Sequence, residues 1–321
     1  MEHYNVYEIT IMNNKKSILL LAGVALLSLS ACDSMGSEIT PQEAEGMQTA
    51  IMKEKKEHPV RSYSLEITRN YNEKRSYPER NVSTKVSSRI SISFDIDNCY
   101  ARFFDSSVGT ETTSADNSKT NGESTSEYTI FYKDGYLYSA VSAIIVGAID
   151  ASDGTTKAYS KVATTKESVR SFLEAICSTP YSLNYVMLLS ASSFSTSEYT
   201  NYQTQTTFYS KGAGNISVVG TLSSTEMAEG FDTGNFNVSF NATFDDYVFS
   251  KGSSNIEATK KVSNATYEYK GNLTFKAKKS CSITLPDLNG YEETDGTITY
   301  VGTVIQASMS DTYNDDFWLN L

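Results

Sequence analysis

The clearest chemical feature of the sequence is one cysteine placed at the end of a short apolar segment. Two lysines, Lys15 and Lys16, precede an uncharged span that ends in Leu29-Ser30-Ala31-Cys32. A basic start, a short apolar middle and small residues before a cut site are typical of a secretory signal peptide. The apolar part is shorter than the ~20 residues that a membrane-spanning helix needs. Cleavage after Ala31 would leave Cys32 as the first residue, with its thiol and its new amine open to acylation.

The four residues from Leu29 to Cys32 resemble the lipobox of bacterial lipoproteins, in which the cysteine is lipidated. The resemblance implies a signal peptide over 1–31 and a lipidated Cys32 that begins a tether over 32–39. It also implies export and a lipid anchor on the extracytoplasmic face of a bacterial membrane. The alternative is an ordinary signal peptide followed by a chance cysteine.

The first eleven residues do not fit the start of a signal peptide. Glu2 and Glu8 lie where the segment should be basic, whereas Met12-Asn13-Asn14-Lys15-Lys16 has the expected character. We therefore predict that translation starts at Met12.

Composition excludes several classes of partner and of chemistry. The net charge is −11, which argues against nucleic acid, because phosphates need Lys and Arg to replace their counterions. The chain has two histidines, His3 and His58, and its cysteines Cys99, Cys177 and Cys281 show no metal-site or redox spacing. We therefore expect no metal and no cofactor.

Periodicity predicts an alternation of helices and strands. Thr40-Pro41-Gln42-Glu43 has the pattern of a capping box and should start a helix that ends near residue 57. Val169, Phe172, Leu173 and Ile176 form one face of a central helix. A second helix is predicted over 182–189. Alternating apolar residues predict antiparallel strands before these helices and again from residue 203 onward.

Three segments lead to more specific predictions. Residues 105–125 are almost all polar and predict a long disordered loop. Residues 136–149 form an apolar run typical of a strand that is buried on both faces or lines an apolar cavity. Residues 297–309 predict a β-like run, followed by an acidic tail over 311–321.

This order of elements predicts an α+β class, with antiparallel strands and helices set on one side of them. It resembles the LolA/LolB-like lipoprotein-localisation-factor fold over 40–290, with 291–321 as a C-terminal extension. The resemblance implies a curved antiparallel β-sheet, or half-barrel, with an N-terminal helix and central helices packed on its concave face. Two motifs carry the resemblance: the Tyr-rich hairpin from Tyr128 to Tyr138 around Asp134-Gly135, and Ile283-Thr284-Leu285-Pro286-Asp287. The family has no catalytic residues, and its members hold acyl chains between sheet and helices.

Two functional hypotheses follow, neither of them enzymatic. The first is a membrane-anchored module that binds a hydrophobic ligand, such as a lipid, in a cavity between sheet and helices. The same apolar side chains could instead fill that space as an ordinary core and leave no cavity. The residues assigned to this cavity are Tyr136, Tyr138, Ile144, Phe172, Ile176 and Met187. The alternative is a surface protein that binds a protein or glycan, for which the aromatic content of 12% and the Ser/Thr-rich composition are suitable. Catalysis is not expected, because the sequence contains no nucleophile elbow, zincin motif or P-loop.

Blocking lipoprotein signal cleavage and weighing the accumulated precursor tests the predicted start. The expected mass is that of a chain beginning at Met12. A mass that includes residues 2–11 would contradict the prediction.

Overall fold

The computed structural model describes residues 36–147, 153–180, 183, 198–294 and 297–309. Its three helices in this part of the chain are α1 (Pro41–Glu57), α2 (Lys166–Ile176) and α3 (Ile298–Met309). The strands of the first half are β1 (Ser37–Ile39), β2 (Ser62–Ser76), β3 (Asn81–Asp95), β4 (Tyr100–Thr113), β5 (Lys119–Lys133), β6 (Tyr136–Val146) and β7 (Gly154–Ala163). Those of the second half are β8 (Tyr199–Thr200), β9 (Gln203–Gly212), β10 (Asn215–Ser224), β11 (Glu226–Met227), β12 (Thr233–Asp245), β13 (Val248–Val262), β14 (Ala265–Lys278) and β15 (Glu292–Glu293).

Among the described residues, thirteen of these strands form one sheet that is not closed, in the order β1-β9-β10-β12-β13-β14-β2-β3-β4-β5-β6-β7-β15. Neighbours are antiparallel except for the short β15, which runs parallel to β7. Strands β2 to β7 follow one another as a meander, and so do β9, β10, β12, β13 and β14. The two meanders join where β14 pairs with β2 from Ser64↔Lys278 to Ser76↔Thr266. The prediction of a large antiparallel sheet combined with helices is confirmed.

The three helices pack on one face of this sheet, and for α1 and α2 the sequence predicts the helix. Thr40 caps α1 with both halves of a capping box, and Thr165 caps α2 by accepting a hydrogen bond from the Ser168 N–H. The apolar stripes of the helices bury Ile51 and Leu173 in the same core as the sheet residues Leu65 and Phe275. The main hydrophobic core therefore lies between helices and sheet. The predicted helix over 182–189 lies outside the described residues.

Residues 298–309 form helix α3 instead of the predicted β-like run. The many β-branched residues favour a strand by local propensity. The structure buries only one helical face, with Val301 and Ile305, four residues apart, both 0% exposed. Gly302 allows the close approach to α2, because a Cβ there would lie 2.9 Å from the Phe172 ring. Tertiary packing therefore overrides the local preference.

Residues 105–125 also differ from the prediction, because they extend β4 and β5 as a paired hairpin. The Ser107 and Ser124 hydroxyls bond across the pair at 2.8 Å, and the Thr110 hydroxyl donates to Asn121 at 3.0 Å. Asn117 takes a positive φ of 54° at the tip, which asparagine tolerates. The prediction of disorder fails because β3 and β6 pair with these strands on their outer sides. The polar composition of this hairpin therefore reflects strands whose side chains are half-buried or exposed on both faces, and not a lack of structure.

A second, smaller core lies on the opposite face. The segment 279–294, which we call the strap, follows β14 and crosses the strands from β2 to β7. The Ser64 hydroxyl donates to the Ser280 carbonyl at its start, and β15 pairs with β7 at its end. In between, Leu288 and Tyr291 of the strap cover the buried Tyr100, Phe131 and Tyr138. The strap then leads to α3, so the C-terminal region contacts both faces of the sheet.

Substituting Ile305→Ala tests whether α3 belongs to the core or is an addition to it. We expect the free energy of unfolding to fall by about 2–5 kcal/mol, because a fully buried isoleucine leaves a cavity. Chemical denaturation measures this. The matched control is Gln306→Ala, an exposed position on the same helix, with a change below about 0.5 kcal/mol. Equal stabilities of the two variants would contradict the assignment of α3 to the core.

Candidate functional site

The structure places five of the six residues of the predicted cavity, and they lie on two different faces of the sheet. Side chains alternate along a strand, so Tyr136, Tyr138 and Ile144 lie on the face of β6 away from the helices. Phe172 and Ile176 belong to α2 and lie on the helix side. Met187 lies outside the described residues, and so does Cys32. The five residues that can be placed do not line one common space.

On the face away from the helices, Tyr138 belongs to a packed aromatic cluster. Its ring stacks on Phe131 with centroids 4.9 Å apart, and Tyr291 of the strap meets it edge-on at 5.1 Å. Tyr136 packs at the margin of the same cluster. Ile144 lies further along β6 and is 41% exposed. Tyr136 and Tyr138 therefore pack with the strap, whereas Ile144 is not part of this cluster.

On the helix side, Phe172 and Ile176 pack against the last helix. The position of Gly302 next to the Phe172 ring leaves no room for even one added carbon atom there. Tyr300 of α3 meets Tyr128 of β5 edge-on, with centroids 5.9 Å apart. Burial and the Tyr300 hydroxyl raise the pKa of Tyr128 to about 12. The predicted ligand space around α2 is therefore occupied by protein side chains in the described part.

An open trough of about 680 Å³ lies on the face away from the helices and spans β13, β14, β2, β3 and β4. Its lining combines four asparagine amides with a larger area of apolar surface. The side chains that alternation places on this face are Asn70, Asn72, Lys85, Ser87, Val108, Thr110, Asn255, Glu257, Lys270 and Asn272. We call this feature the amide trough. At a strand spacing of ~4.8 Å it is roughly 19 Å wide across its five strands.

Most of the hydrogen-bonding capacity of the amide trough remains directed at solvent. The side-chain amide of Asn70 donates to the side-chain oxygen Oδ1 of Asn272 at 3.3 Å, and Lys270 pairs with Glu257 at 3.0 Å. Each amide has two donor hydrogens and an acceptor oxygen. The ion pair is exposed on both sides and contributes little to stability. The exposed amides are therefore available to a ligand at low desolvation cost.

The floor of the amide trough is rigid. Every strand beneath it is paired with a neighbour on both sides. On the other side of the sheet the rings of Tyr71 and Tyr269 stack with centroids 5.4 Å apart. The backbone groups of the floor are used within the sheet, so a ligand can be recognised there only by side chains.

Several aspartates lie close together in the sequence, and those that the structure describes serve turns and ion pairs. Asp95 accepts from the Asn98 backbone N–H at 2.9 Å, Asp97 pairs with Arg61 at 2.9 Å, and Asp246 pairs with Lys279. Asp315 and Asp316 lie outside the described residues. Within the described part of the chain, no group of three or more His, Cys, Asp or Glu side chains has the arrangement of a metal site.

Sequence reasoning missed the amide trough for a physical reason. Asn70 and Asn72 are far in the chain from Asn255 and Asn272, and the two pairs meet only because β14 pairs with β2, where Asn70 lies opposite Asn272. The available signal is that β2 and β14 carry polar residues at alternate positions. That signal identifies a polar face but no concave surface.

None of the described helices has both the length and the apolar character to cross a bilayer.

No protein-family model and no curated protein matches this chain. Solved structures show only a remote likeness. The translocator domain of the autotransporter NalP from Neisseria meningitidis is 7% identical with a TM-score of 0.23, over 78% of this chain and 97% of that one. The beta domain of the Bordetella autotransporter Brka is 8% identical with a TM-score of 0.21, over 65% and 98%. TM-scores this low carry no argument about fold or function.

Substituting Tyr291→Ala tests whether the aromatic cluster holds the strap. Cys281 belongs to the strap and is half-buried, and burial raises the pKa of its thiol. Loss of the Tyr291 ring should let the strap open more often, so maleimide labelling of Cys281 should become at least about fivefold faster. Peptide mass spectrometry identifies the labelled cysteine.

The control for the strap variant is Leu285→Ala, whose side chain is 45% exposed. It should leave the labelling rate of Cys281 unchanged. An unchanged rate in the Tyr291 variant would mean that other contacts hold the strap.

Proposed function

We propose that this protein is a membrane-anchored bacterial lipoprotein that acts in the cell envelope by binding, without catalysis, and that the amide trough takes an oligosaccharide. The observation that carries the proposal is the trough itself: an open concave surface with four asparagine amides on a rigid sheet. The anchor rests on the sequence around Cys32. The half-barrel curvature and the LolA-like fold belong to the same proposal, and the helices on one face of the sheet support them.

A glycan fits the amide trough better than an extended peptide does. A peptide that adds as a strand needs an unpaired strand edge. The five strands under the trough have both edges paired. Sugar hydroxyls both donate and accept hydrogen bonds, and asparagine amides do the same. A chain of a few sugar units also suits a trough roughly 19 Å wide.

The apolar-ligand hypothesis receives no support from the residues proposed for it. Tyr136 and Tyr138 face the strap, and Phe172 packs against α3. A lipid between sheet and helices would need space that these side chains do not leave. We therefore place the binding surface on the opposite face from the one that the sequence predicts.

The double variant Asn70→Ala/Asn272→Ala tests the glycan proposal. The mature chain is screened on an array of bacterial and host oligosaccharides, and the best ligand is then measured by calorimetry. We expect affinity to fall at least about tenfold, because two hydrogen-bonding amides at ~1 kcal/mol each are lost. Both residues are exposed, so stability should stay within about 0.5 kcal/mol.

The matched control is Asn235→Ala/Asn237→Ala, which removes two exposed amides from β12 outside the amide trough. It should bind the glycan like the unmodified protein. Failure to bind any array oligosaccharide would contradict the proposal. Uptake of a fluorescent fatty acid in that case would return the apolar-ligand hypothesis to first place.

A further inference from the structure

A row of polar side chains crosses the helix-facing side of the sheet, where apolar residues otherwise predominate. Arg69 of β2 lies opposite Ser88 of β3, Ser88 opposite Ser107 of β4, and Ser107 opposite Ser124 of β5. Alternation places Arg69 on the same face as the buried Ile67. The row is therefore a polar strip on the face that carries the main core, separate from the amide trough on the other face.

Two groups in this strip are buried without a hydrogen-bond partner among the described residues. Ser88 is 5% exposed, and its hydroxyl bonds to nothing. The Nε atom of Arg69 is likewise buried and unpaired, and its guanidinium lies 5.5 Å from the centroid of the Tyr71 ring. A buried polar group left unsatisfied costs roughly 1–3 kcal/mol. Such groups call for a physical explanation, and a bound ligand is one.

A carboxylate faces the same strip. Asp105 lies two residues before Ser107 in β4, on the same face of the sheet. By strand spacing and rise, its Cα is roughly 12 Å from that of Arg69. Burial raises the pKa of Asp105, while the positive charge of Arg69 lowers it. The two charges are near enough to interact, yet no direct ion pair joins them in the described part of the structure. A donor group and an acceptor group of opposite charge therefore lie on the same face of the sheet without a direct ion pair among the described residues.

We propose that this strip binds a small zwitterion of the α-amino acid class, with its carboxylate on Arg69 and Ser88 and its ammonium group on Asp105. The ligand supplies an acceptor to both unsatisfied donors and a cation to the buried carboxylate. Such a ligand is neutral overall, as is the Arg69–Asp105 pair. Ser107 and Ser124, which bond to each other at 2.8 Å, provide further hydroxyls beside the ligand.

Ligands with a single charge fit this site less well. An oxyanion such as phosphate would match Arg69 and Ser88 but would meet repulsion from Asp105. A simple amine would match Asp105 but would be repelled by Arg69 and would leave Ser88 unsatisfied. Charge complementarity therefore favours a molecule that carries both groups a few bonds apart.

Calorimetric titration of the mature chain with each of the common amino acids tests the proposal, with acetate, methylamine and inorganic phosphate as single-charge probes. We expect at least one amino acid to bind and the three single-charge probes not to bind. Arg69→Gln and Asp105→Asn should each weaken amino-acid binding at least about tenfold, because each removes a charged hydrogen bond.

Two controls separate this site from general effects. Arg89→Gln removes an exposed arginine of β3 that pairs with Glu66 on the other face, and it should bind like the unmodified protein. The Asn70→Ala/Asn272→Ala variant should also bind the amino acid normally, which separates this site from the proposed glycan function. If the Arg69 variant does not fold, Ser88→Ala replaces it, with an expected loss of at least about threefold.

Three outcomes overturn the proposal. Binding of phosphate or acetate as tightly as the amino acids would show an anion site without the Asp105 interaction. Amino-acid binding that survives all the substitutions would place the site elsewhere. Failure of every amino acid to bind would show that the unsatisfied groups have no zwitterionic ligand.

Discussion

The pairing of β14 with β2 is the constraint on which the rest of the structure depends. It joins two meanders, one from each half of the chain, through an unbroken ladder from Ser64↔Lys278 to Ser76↔Thr266. Without it, β2 and β14 would each expose an unpaired edge, which proteins normally avoid. The pairing also unites the helix-facing core, since Leu65 and Leu273 belong to one cluster.

The C-terminal region stabilises this sheet from both sides. After β14 the strap crosses one face and covers Phe131 and Tyr138. The chain then forms α3 on the other face, where Val301 and Ile305 are fully buried. A fully buried aliphatic side chain contributes ~1.5–3 kcal/mol. The region is therefore part of the folded unit rather than an appendage, and the strands that it covers lose much of their freedom to separate.

The two faces of the sheet offer different chemistry to ligands. The amide trough is open to solvent, so recognition there would depend on many weak hydrogen bonds. The polar strip with Arg69 and Asp105 is partly buried. Each hydrogen bond or ion pair there is screened less by solvent, and a polar group left without a partner costs more free energy than it would on an open surface. One rigid sheet separates the two sites, and a substitution in either need not disturb the other.

Local sequence patterns determined the elements whose stabilisation is local. The capping box at Thr40, the helical stripe that includes Leu173 and the turn at Asp134-Gly135 all formed as predicted, because hydrogen bonds and periodicity within a few residues decide them. The proposed anchor at Cys32 rests on a local pattern of the same kind.

Tertiary structure decided everything that depends on residues distant in the chain. Residues 298–309 became a helix because one face packs on the core, and the polar residues 105–125 became strands because neighbouring strands pair with them on both sides. Tyr138 and Phe172 were assigned to one cavity, yet they lie on opposite faces. The amide trough and the Arg69–Asp105 strip arise only when separate strands come into register, and no local pattern encodes that register.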